Sequence, residues 1–547
     1  MSSGPPGKPR PRQIEVETIR VRSTRPPVGP AASPRSEAPP AAPSSSEAPP
    51  SPASRPPPRG AWEARSPDAP RGPQRGPDFR KPFRRGGSAL PVTARNVAAE
   101  VVARVEKDDA FAAAVLDHEL RRATDLSPRD RALATELAYG TLRLRPLLER
   151  SIEEATPRGI AALDPRTRAL LLVAAYQLHY TRIPAFAAVS EAVEAIRTTR
   201  GRAVSGFANG ALRAVAVSAE KAPLPRPPVA FREATAPWLR RALERSIGAD
   251  ATEALLTAGP YPPPVHLRVR RVRGRADEET RDTWLAELTA AAQASGVAKI
   301  EAGAFSPLAI RARGIGDPHA LPGHDEGRFT VQEEGSQLLA LLLGAGPRDV
   351  VLDACAGRGN KASLLAELID PGSPDGSGRL EVADLHPDKL TRLGRELERL
   401  GLPAAKAYAV DWSVGVGEVP LAAFDRVLVD APCSGTGTIR RRPEIQTRRK
   451  AADLPGLQTM QAQILANAAL AVRPGGRLVY AVCSVLRDEC EAVVQRVLAE
   501  HPGRLEPIPF DAPIAAKLFG SDATDGRLLT HLHGTDAYYV ASFRRPS

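Results

Sequence analysis

Val351-Leu-Asp-Ala-Cys-Ala-Gly-Arg-Gly-Asn-Lys361 joins a short apolar run to two closely spaced glycines. Glycine lets the backbone turn tightly and lets a ligand approach it closely. The next residues, as far as Ile369, read as a helix, whose free N–H groups would favour a carboxylate or phosphate. A strand, a glycine turn and a helix in this order predict the first unit of a parallel α/β sheet, with a ligand site at the turn.

Further along the chain, short apolar runs that end in Asp or lead into Cys alternate with helical segments. These runs are Leu380–Asp384, Ala407–Asp411, Arg426–Asp430 and Arg477–Val482. The alternation predicts an α/β, doubly wound (Rossmann-like) domain over residues 326–547. In such a sheet the functional groups gather at the carboxyl ends of the strands.

The residues before this domain differ in composition and periodicity. From Val92 onward, apolar residues recur at helical spacing, as in Val97, Val101 and Val105, so residues 89–221 are predicted to form an all-α domain. Residues 222–325 read as a Pro-rich linker, Ala222–Pro228, and a small α+β module. Residues 1–88 form a Pro- and Arg-rich tail that buries too little apolar surface to order, and we expect it to be disordered.

Charge and cysteine content narrow the class of protein. The chain has a net charge of +12, but residues 1–90 carry 16 Lys and Arg against 7 Asp and Glu, so most of the excess lies in the tail. A basic balance suits nucleic acid, yet the rest of the chain is close to neutral. Four cysteines show neither metal-ligand spacing nor a disulfide pattern. The sequence has no apolar run typical of a signal peptide or membrane span, so we expect a cytoplasmic protein. We also expect it to be a monomer and to bind no metal.

Carboxylates at successive strand ends predict the ligand at the glycine turn. Asp384 follows Lys361 by 23 residues, the usual distance for a carboxylate that meets a ribose diol. Asp411 ends the third strand, where it could accept from an adenine amino group, and Asp430 ends the fourth. A lone Asp at a strand end is usually a helix cap, but three in succession favour an adenosine-containing ligand. No nucleotide-triphosphate or dinucleotide glycine motif is present, which argues against ATP and NAD.

Two cysteines also stand at strand ends, 50 residues apart: Cys433 and Cys483. Two thiols that face one adenosine site suggest covalent catalysis of the kind that cytosine methylation requires. Cytosine C5 becomes nucleophilic enough to accept a methyl group only after a thiolate adds at C6. Either cysteine alone could equally be a small buried hydrophobe, and this is the favoured interpretation of Cys355 and Cys490.

At these residues the chain resembles the RsmB/Sun/Fmu (NOL/Sun) family of RNA cytosine-C5 methyltransferases. The specific signatures are Asp430-Ala-Pro-Cys-Ser-Gly-Thr-Gly437 and Ala481-Val-Cys-Ser-Val-Leu-Arg-Asp-Glu489. Val331–Gln337 is similar to the segment that precedes the family's sheet, and Thr535–Tyr539 to its closing strand. The helical region resembles the NusB-like domain of the RsmB branch in the stretches Asp130–Glu136, Tyr176–Pro184 and Asn209–Arg213.

The resemblance implies that S-adenosylmethionine donates a methyl group to C5 of a cytosine in 16S ribosomal RNA. It implies that Cys483 is the nucleophile and that Cys433 assists product release, whereas the Pro-Cys thiol that acts in the DNA cytosine methyltransferases would make Cys433 the nucleophile. The sequence leaves the base that removes the C5 proton open, with Asp430 and a water molecule as candidates. The residues implied for cofactor binding are Cys355, Ala356, Gly357, Arg358, Gly359, Asn360, Lys361, Asp384, Asp411 and Asp430.

Three positions depart from the family pattern. The family usually has Pro at the position of Arg358, Gly at that of Asn360, and often Asn at that of Cys490. Asn tolerates left-handed backbone better than most residues, so the turn is expected to survive.

A basic run directly after the Cys433 turn predicts contact with RNA. Arg440, Arg441 and Arg442 would neutralise phosphates that flank the target cytosine, although charge runs are usually solvated faces. Two other functions remain open at this stage. One is a non-catalytic RNA-binding assembly factor, which would not need the thiols. The other is a cytosine-C5 methyltransferase that acts on transfer RNA, which nothing in the chain alone excludes.

Overall fold

The structure, a computed structural model, describes residues 90–156, 159–293, 299–369 and 378–547. These residues fall within one compact unit of the chain. The tail predicted for residues 1–88 lies outside the described residues. Within the described ranges, no helix combines the length and the hydropathy that crossing a bilayer requires.

The described chain opens with helices α1 (Ala94–Asp108), α2 (Ala112–Arg122), α3 (Pro128–Ala155), α4 (Pro165–Tyr180) and α5 (Ala185–Lys221). The side chains of Thr93, Ser127 and Asp164 begin α1, α3 and α4, because each accepts a hydrogen bond from the N–H three residues later. Helix α5 bends at Gly201, where φ is 79°. The predicted all-α region is confirmed.

Three further helices extend this helical layer: α6 (Pro227–Ala234), α7 (Pro237–Ile247) and α8 (Ala249–Ala258). Phe231 of α6 is 2 % exposed and lies in the same apolar core as Leu137 and Leu148 of α3. The Pro-rich stretch Ala222–Pro228, predicted to be a linker, therefore connects two helices that belong to one core.

A small antiparallel sheet follows, with one helix beside it. It comprises β1 (Val265–Val269), α9 (Asp277–Gln293), β2 (Lys299–Ala302), β3 (Ala309–Arg313) and β4 (Phe329–Val331). The strand order is β2-β3-β1-β4. Because β4 pairs with β1, this sheet reaches Val331, six residues beyond the boundary predicted at residue 325. Strands of three or four residues, such as β4 and β2, are too short for a periodic signal.

The C-terminal domain alternates helices and strands. Its elements are α10 (Glu334–Leu342), β5 (Val350–Asp353), α11 (Asn360–Leu368), β6 (Arg379–Asp384), α12 (Pro387–Arg399), β7 (Lys406–Ala409), β8 (Phe424–Asp430), α13 (Ile445–Arg448), α14 (Leu454–Ala468), β9 (Val472–Val482), α15 (Glu491–Glu500), β10 (Glu506–Pro507), α16 (Pro513–Phe519), β11 (Asp525–Leu528), α17 (Thr530–His533) and β12 (Tyr538–Arg544).

The sheet order is β10-β12-β9-β8-β5-β6-β7, with β11 paired to β12. Strands β5 to β9 are parallel to one another, whereas β12 pairs antiparallel with β9, and β10 pairs antiparallel with β12. Successive residues of a strand face opposite sides: Val351 packs with α10 and α11, whereas Leu352 packs with α14 and α15. Helices cover both faces, which confirms the predicted doubly wound domain.

The helical layer rests on the loops at the carboxyl edge of this sheet. Ile439 and Ile445 after β8, and Val485 and Leu486 after β9, belong to the apolar core of the helices. The Arg487 N–H also donates to the Ser246 hydroxyl at 2.9 Å. The helices therefore lie against the loops that carry the predicted catalytic residues.

Candidate active site

The carboxyl edge of the parallel strands carries most of the predicted site residues. Asp353, Asp384 and Asp430 end β5, β6 and β8, and Cys483 directly follows β9. Asp411 lies two residues beyond the end of β7. Because parallel strands end at one edge, the sheet brings these side chains to the same side of the domain.

The two strand-end thiols are neighbours. The Sγ atoms of Cys433 and Cys483 lie 3.2 Å apart, within hydrogen-bonding distance. The Gly437 N–H donates to the Cys483 carbonyl oxygen at 3.0 Å and fastens the loop after β8 to the end of β9. A Cβ at Gly437 would lie 2.0 Å from the carbonyl oxygen of Ala537, so this approach needs glycine.

The two thiols differ in acidity. The pKa of the Cys483 thiol is lowered, because the Cys433 thiol donates a hydrogen bond to it and because Arg442 and Lys361 are positive; burial and Asp430 oppose this shift. The same hydrogen bond, together with burial, raises the pKa of Cys433 well above its usual value. The thiolate is the nucleophilic form of cysteine. The pair therefore favours a thiolate at Cys483 and a retained proton at Cys433.

The other two cysteines stay protonated. Burial, followed by the negative charges of Asp353 and Asp430, raises the pKa of Cys355. Burial also raises the pKa of Cys490, whose thiol lies 3.6 Å from the Ser484 carbonyl oxygen that accepts its hydrogen bond. Both environments suit packing more than nucleophilic chemistry.

A charged cluster lies beside the thiols. The Nζ of Lys361 lies 2.5 Å from Oδ2 of Asp430. Burial alone would lower the pKa of Lys361, but Asp430 and Asp353 raise it, so the ammonium stays charged. Asp353 is 1 % exposed, and burial raises its pKa to about 7 against the opposing effect of Lys361.

The glycine turn after β5 opens onto the same edge. Gly357 and Gly359 have φ values of 58° and 92°, in the left-handed region that favours glycine. A Cβ at Gly359 would also lie 2.7 Å from the Leu393 side chain. Asn360 is the first residue of α11, so its tolerance of left-handed backbone is not needed, and Arg358 is exposed.

Asp384 is fixed next to this turn. One carboxylate oxygen accepts the Gly357 N–H at 3.0 Å, and the other accepts from the His386 N–H at 2.9 Å and from Lys389 Nζ at 3.1 Å. Asp411 is exposed and accepts the Ser413 N–H at 2.9 Å. The carboxylates of Asp384 and Asp411 can accept hydrogen bonds from ribose hydroxyl and adenine amino groups, and the start of α11 can bind a carboxylate. These groups fit S-adenosylmethionine.

A buried polar network supports the loop that carries Cys433. Glu489 is 0 % exposed, and its carboxylate accepts from the Ser434 N–H at 2.7 Å, the Ser434 hydroxyl at 2.5 Å and the Gln461 amide at 3.0 Å. The Thr436 and Ser484 hydroxyls are 3.0 Å apart, which links the loop to the residue after Cys483. The network holds both cysteine loops in one arrangement.

The three arginines predicted to contact RNA have different environments. Arg440 is 8 % exposed, and its Nε lies 2.5 Å from Oδ1 of the buried Asp536. Arg441 pairs with the other oxygen of Asp536 at 2.9 Å and donates to the Pro264 carbonyl oxygen. Arg442 is exposed. The predicted phosphate contact therefore rests on Arg442, while Arg440 and Arg441 brace the loop from within.

Sequence reasoning assigned no role to three residues of this site. Glu489 lies inside a quoted signature, but nothing in the pattern distinguishes a buried carboxylate from a solvated one. Asp353 is the last residue of an apolar strand, and this position was the available signal for its burial. Lys389 lies in the first turn of α12, and nothing in the sequence pattern indicated that it would contact Asp384. Within the described ranges no group of three or more His, Cys, Asp or Glu side chains has an arrangement that could hold a metal ion.

The fold and the site define a class of protein: a methyltransferase that uses S-adenosylmethionine. The order of the sheet, the glycine turn after its first strand and the carboxylates at the following strand ends carry this assignment.

Comparison with known proteins narrows the class. The family described as 16S rRNA methyltransferase RsmB/F matches residues 340–544, and the NusB family matches residues 92–217. The chain is 36 % identical over 416 residues to ribosomal RNA small subunit methyltransferase B of Pseudomonas putida, an alignment that covers 76 % of this chain and 90 % of that protein. The corresponding enzyme of Shewanella oneidensis is 32 % identical over 423 residues, which are 76 % of this chain and 91 % of that protein.

Among solved structures, the crystal structure of PH0851 superposes with a TM-score of 0.68 and 21 % identity, covering 83 % of this chain and 99 % of that one. This similarity bears on the fold alone. The family match and the identity to these relatives show that the chain belongs to the RsmB/F family of 16S rRNA methyltransferases. The resemblance seen in its sequence motifs is therefore confirmed.

Proposed function

We propose that this protein transfers a methyl group to C5 of a cytosine in 16S ribosomal RNA through a covalent intermediate with Cys483. The observation that carries the proposal is the 3.2 Å contact between the Cys433 and Cys483 thiols at the edge that fits the cofactor. The relatives named as ribosomal RNA small subunit methyltransferase B favour 16S ribosomal RNA over transfer RNA.

The nucleophilic step belongs to Cys483. Its thiolate forms a bond to C6 of the cytosine, and the π electrons of the C5–C6 double bond shift toward C5, which becomes nucleophilic. S-adenosylmethionine, when bound, supplies an electrophilic methyl group on a sulfonium. The positive charges of Arg442 and Lys361 stabilise the Cys483 thiolate before the attack and so help to lower its pKa.

Release of the product needs a base and an acid. Once C5 carries the methyl group, a base removes the C5 proton, and the C6–sulfur bond breaks to restore the aromatic ring. Asp430, held by Lys361 at 2.5 Å, or a water molecule serves as the base. The raised pKa of Cys433 suits it to protonate the departing Cys483 thiolate at short range.

The substrate base must leave its stack for C6 to reach a thiol at the edge of the sheet. An unpaired cytosine, or one flipped out of a helix, satisfies this requirement. We also propose that the protein acts as a monomer in the cytoplasm, where a reducing environment keeps the two catalytic thiols free.

The test is transfer of label from S-[methyl-³H]adenosylmethionine to deproteinised 16S ribosomal RNA that lacks the modification, followed by analysis of the nucleosides. We expect labelled 5-methylcytidine with the wild-type protein and none with Cys483→Ala, which should still bind the cofactor. Label in transfer RNA but not in 16S ribosomal RNA would show that transfer RNA is the substrate. If the wild-type protein binds the cofactor but labels neither RNA, methylation of both substrates is refuted. If the wild-type protein does not bind the cofactor, a non-catalytic RNA-binding factor is favoured.

A further inference from the structure

An exposed aromatic ring stands beside the catalytic loop, on the other domain. Phe111 is the residue before α2, and 51 % of it is exposed although it is a large apolar side chain. Because about half of Phe111 is open to solvent, a planar ligand group can reach its ring.

Two arginines from the C-terminal domain lie over this ring in cation–π contacts, and the exposed part of the ring is what remains for a ligand. The guanidinium carbons of Arg442 and Arg448 lie 5.6 Å and 5.2 Å from the centroid of Phe111. Arg448 is fixed by the Ala110 carbonyl oxygen at 2.8 Å and by the exposed carboxylate of Asp109 at 3.3 Å. Among the described residues no carboxylate lies within ion-pair distance of Arg442, although the buried Glu444 interacts with its charge at longer range, so the exposed guanidinium can still pair with a phosphate.

Backbone contacts place this group close to the thiols. The Arg442 N–H donates to the Thr438 carbonyl oxygen at 2.9 Å, and the neighbouring Gly437 N–H donates to the Cys483 carbonyl oxygen at 3.0 Å. Arg442 is also near enough to act on the acidity of Cys483. The ring, the free charge and the nucleophile therefore lie along one short path.

The interface beneath the group is ordered by polar contacts between the two domains. The Ala112 N–H donates to the buried Glu444 carboxylate at 3.3 Å. On the adjacent helix α3, the Arg143 guanidinium donates to the Arg440 carbonyl oxygen at 3.0 Å. These contacts hold Phe111 and Arg442 at a fixed separation, as a binding surface made from two domains requires.

We propose that Phe111 and Arg442 form a two-domain site for single-stranded RNA, in which an unpaired base near the target cytosine stacks on Phe111 and its phosphate pairs with Arg442. Aromatic stacking accepts any base, and a guanidinium beside the ring pairs with the backbone, a combination typical of single-strand recognition. The inference rests on the proposed function, and it adds where the helical domain holds the substrate.

The experiment measures RNA binding directly, by fluorescence anisotropy of a labelled single-stranded oligoribonucleotide and of the same strand in a duplex. We expect Phe111→Ala and Phe111→Leu to weaken single-strand binding about tenfold, and Phe111→Trp to retain it, because stacking needs a ring. Arg442→Gln should weaken binding and reduce the salt dependence by about one ion. The matched control is Phe186→Ala, which removes a ring of 77 % exposure elsewhere on the helical layer and should leave affinity unchanged.

A second readout separates stacking from a structural effect. RNA should quench the added fluorescence of Phe111→Trp but not that of Phe186→Trp, and the cofactor affinity of every variant should equal that of the wild type. Wild-type affinity in Phe111→Ala, equal losses in Phe111→Ala and Phe186→Ala, or equal loss for duplex and single strand would overturn the inference. Because binding is measured without methyl transfer, these results do not depend on which base is methylated.

Discussion

Replacement of Glu489 should both destabilise the C-terminal domain and disarm its nucleophile. The carboxylate has no solvent contact and accepts three hydrogen bonds, two from Ser434 and one from Gln461. Hydrogen bonds to charged groups contribute about 1.5–3 kcal/mol each, and a buried donor left without an acceptor costs about 1–3 kcal/mol. Because the donors can partly rearrange, we expect Glu489→Ala to lower the free energy of unfolding by about 3–5 kcal/mol. Glu489→Gln, which keeps one acceptor oxygen, should cost about 1–3 kcal/mol.

Urea unfolding monitored by tryptophan fluorescence, to which Trp412 contributes from a position 3 % exposed in the same domain, measures this loss. The control is Glu500→Gln, which removes a half-exposed carboxylate paired with Arg496 and should change the free energy by less than about 0.5 kcal/mol. If Glu489→Gln unfolds at the urea concentration of the control, the supporting role of this network is wrong.

Glu489→Gln also tests whether the hydrogen-bond network around Glu489 affects the reactivity of Cys483. The network positions the Cys433 loop, and the Cys433 hydrogen bond is the main cause of the lowered pKa of Cys483. Loosening the loop should therefore raise the pKa of Cys483, so the rate of its alkylation by iodoacetamide should rise at a higher pH than in the wild type. Mass spectrometry of the peptide that contains Cys483 measures this rate. An unchanged profile in folded Glu489→Gln would uncouple the network from the nucleophile.

Three further predictions follow from single contacts. Asp384→Ala should weaken S-adenosylmethionine binding at least about tenfold by calorimetry, since a hydrogen bond to a carboxylate is worth about 1.5–3 kcal/mol, and an unchanged Kd would remove it from the ribose role. Gly437→Ala should reduce methyl transfer more than cofactor affinity, because its Cβ would lie 2.0 Å from the Ala537 carbonyl oxygen, and wild-type turnover would contradict this. The pKa of Asp353 is raised from 3.8 to about 7, so its contribution to stability is complete below pH 3.8 and is lost as the pH rises through about 7. Between pH 5.5 and 8 the wild type should therefore lose about 2 kcal/mol relative to Asp353→Asn in urea unfolding, and parallel pH profiles would refute the shift.

The sequence predicted the architecture of the C-terminal domain well because its signals are local. A buried parallel strand such as Leu380–Asp384 is an apolar run of its own, and the glycines at 357 and 359 mark a turn that side chains resist. The edge of the sheet where Asp384, Asp430 and Cys483 meet followed from strand direction alone.

The rest depends on contacts between residues far apart in the chain. The first two residues of α6 were predicted to belong to the linker Ala222–Pro228 and the rest to the small α+β module, because only the core supplied by α3 shows why Phe231 is buried. Arg440 and Arg442 are two residues apart in one basic run. Arg440 is nevertheless buried in an ion pair with Asp536, whereas Arg442 is exposed. The neighbourhood of Phe111 and Arg442 joins residues more than 300 positions apart, and no sequence pattern could reveal it.

The covalent mechanism has a direct test in the Cys433→Ala variant incubated with S-adenosylmethionine and unmodified 16S ribosomal RNA. If Cys483 is the nucleophile and Cys433 assists its release, a protein–RNA adduct that survives denaturing electrophoresis should accumulate. The double variant that also carries Cys483→Ala should form none. An adduct that persists in the double variant, or one that accumulates in Cys483→Ala instead, would contradict the assignment of the two thiols.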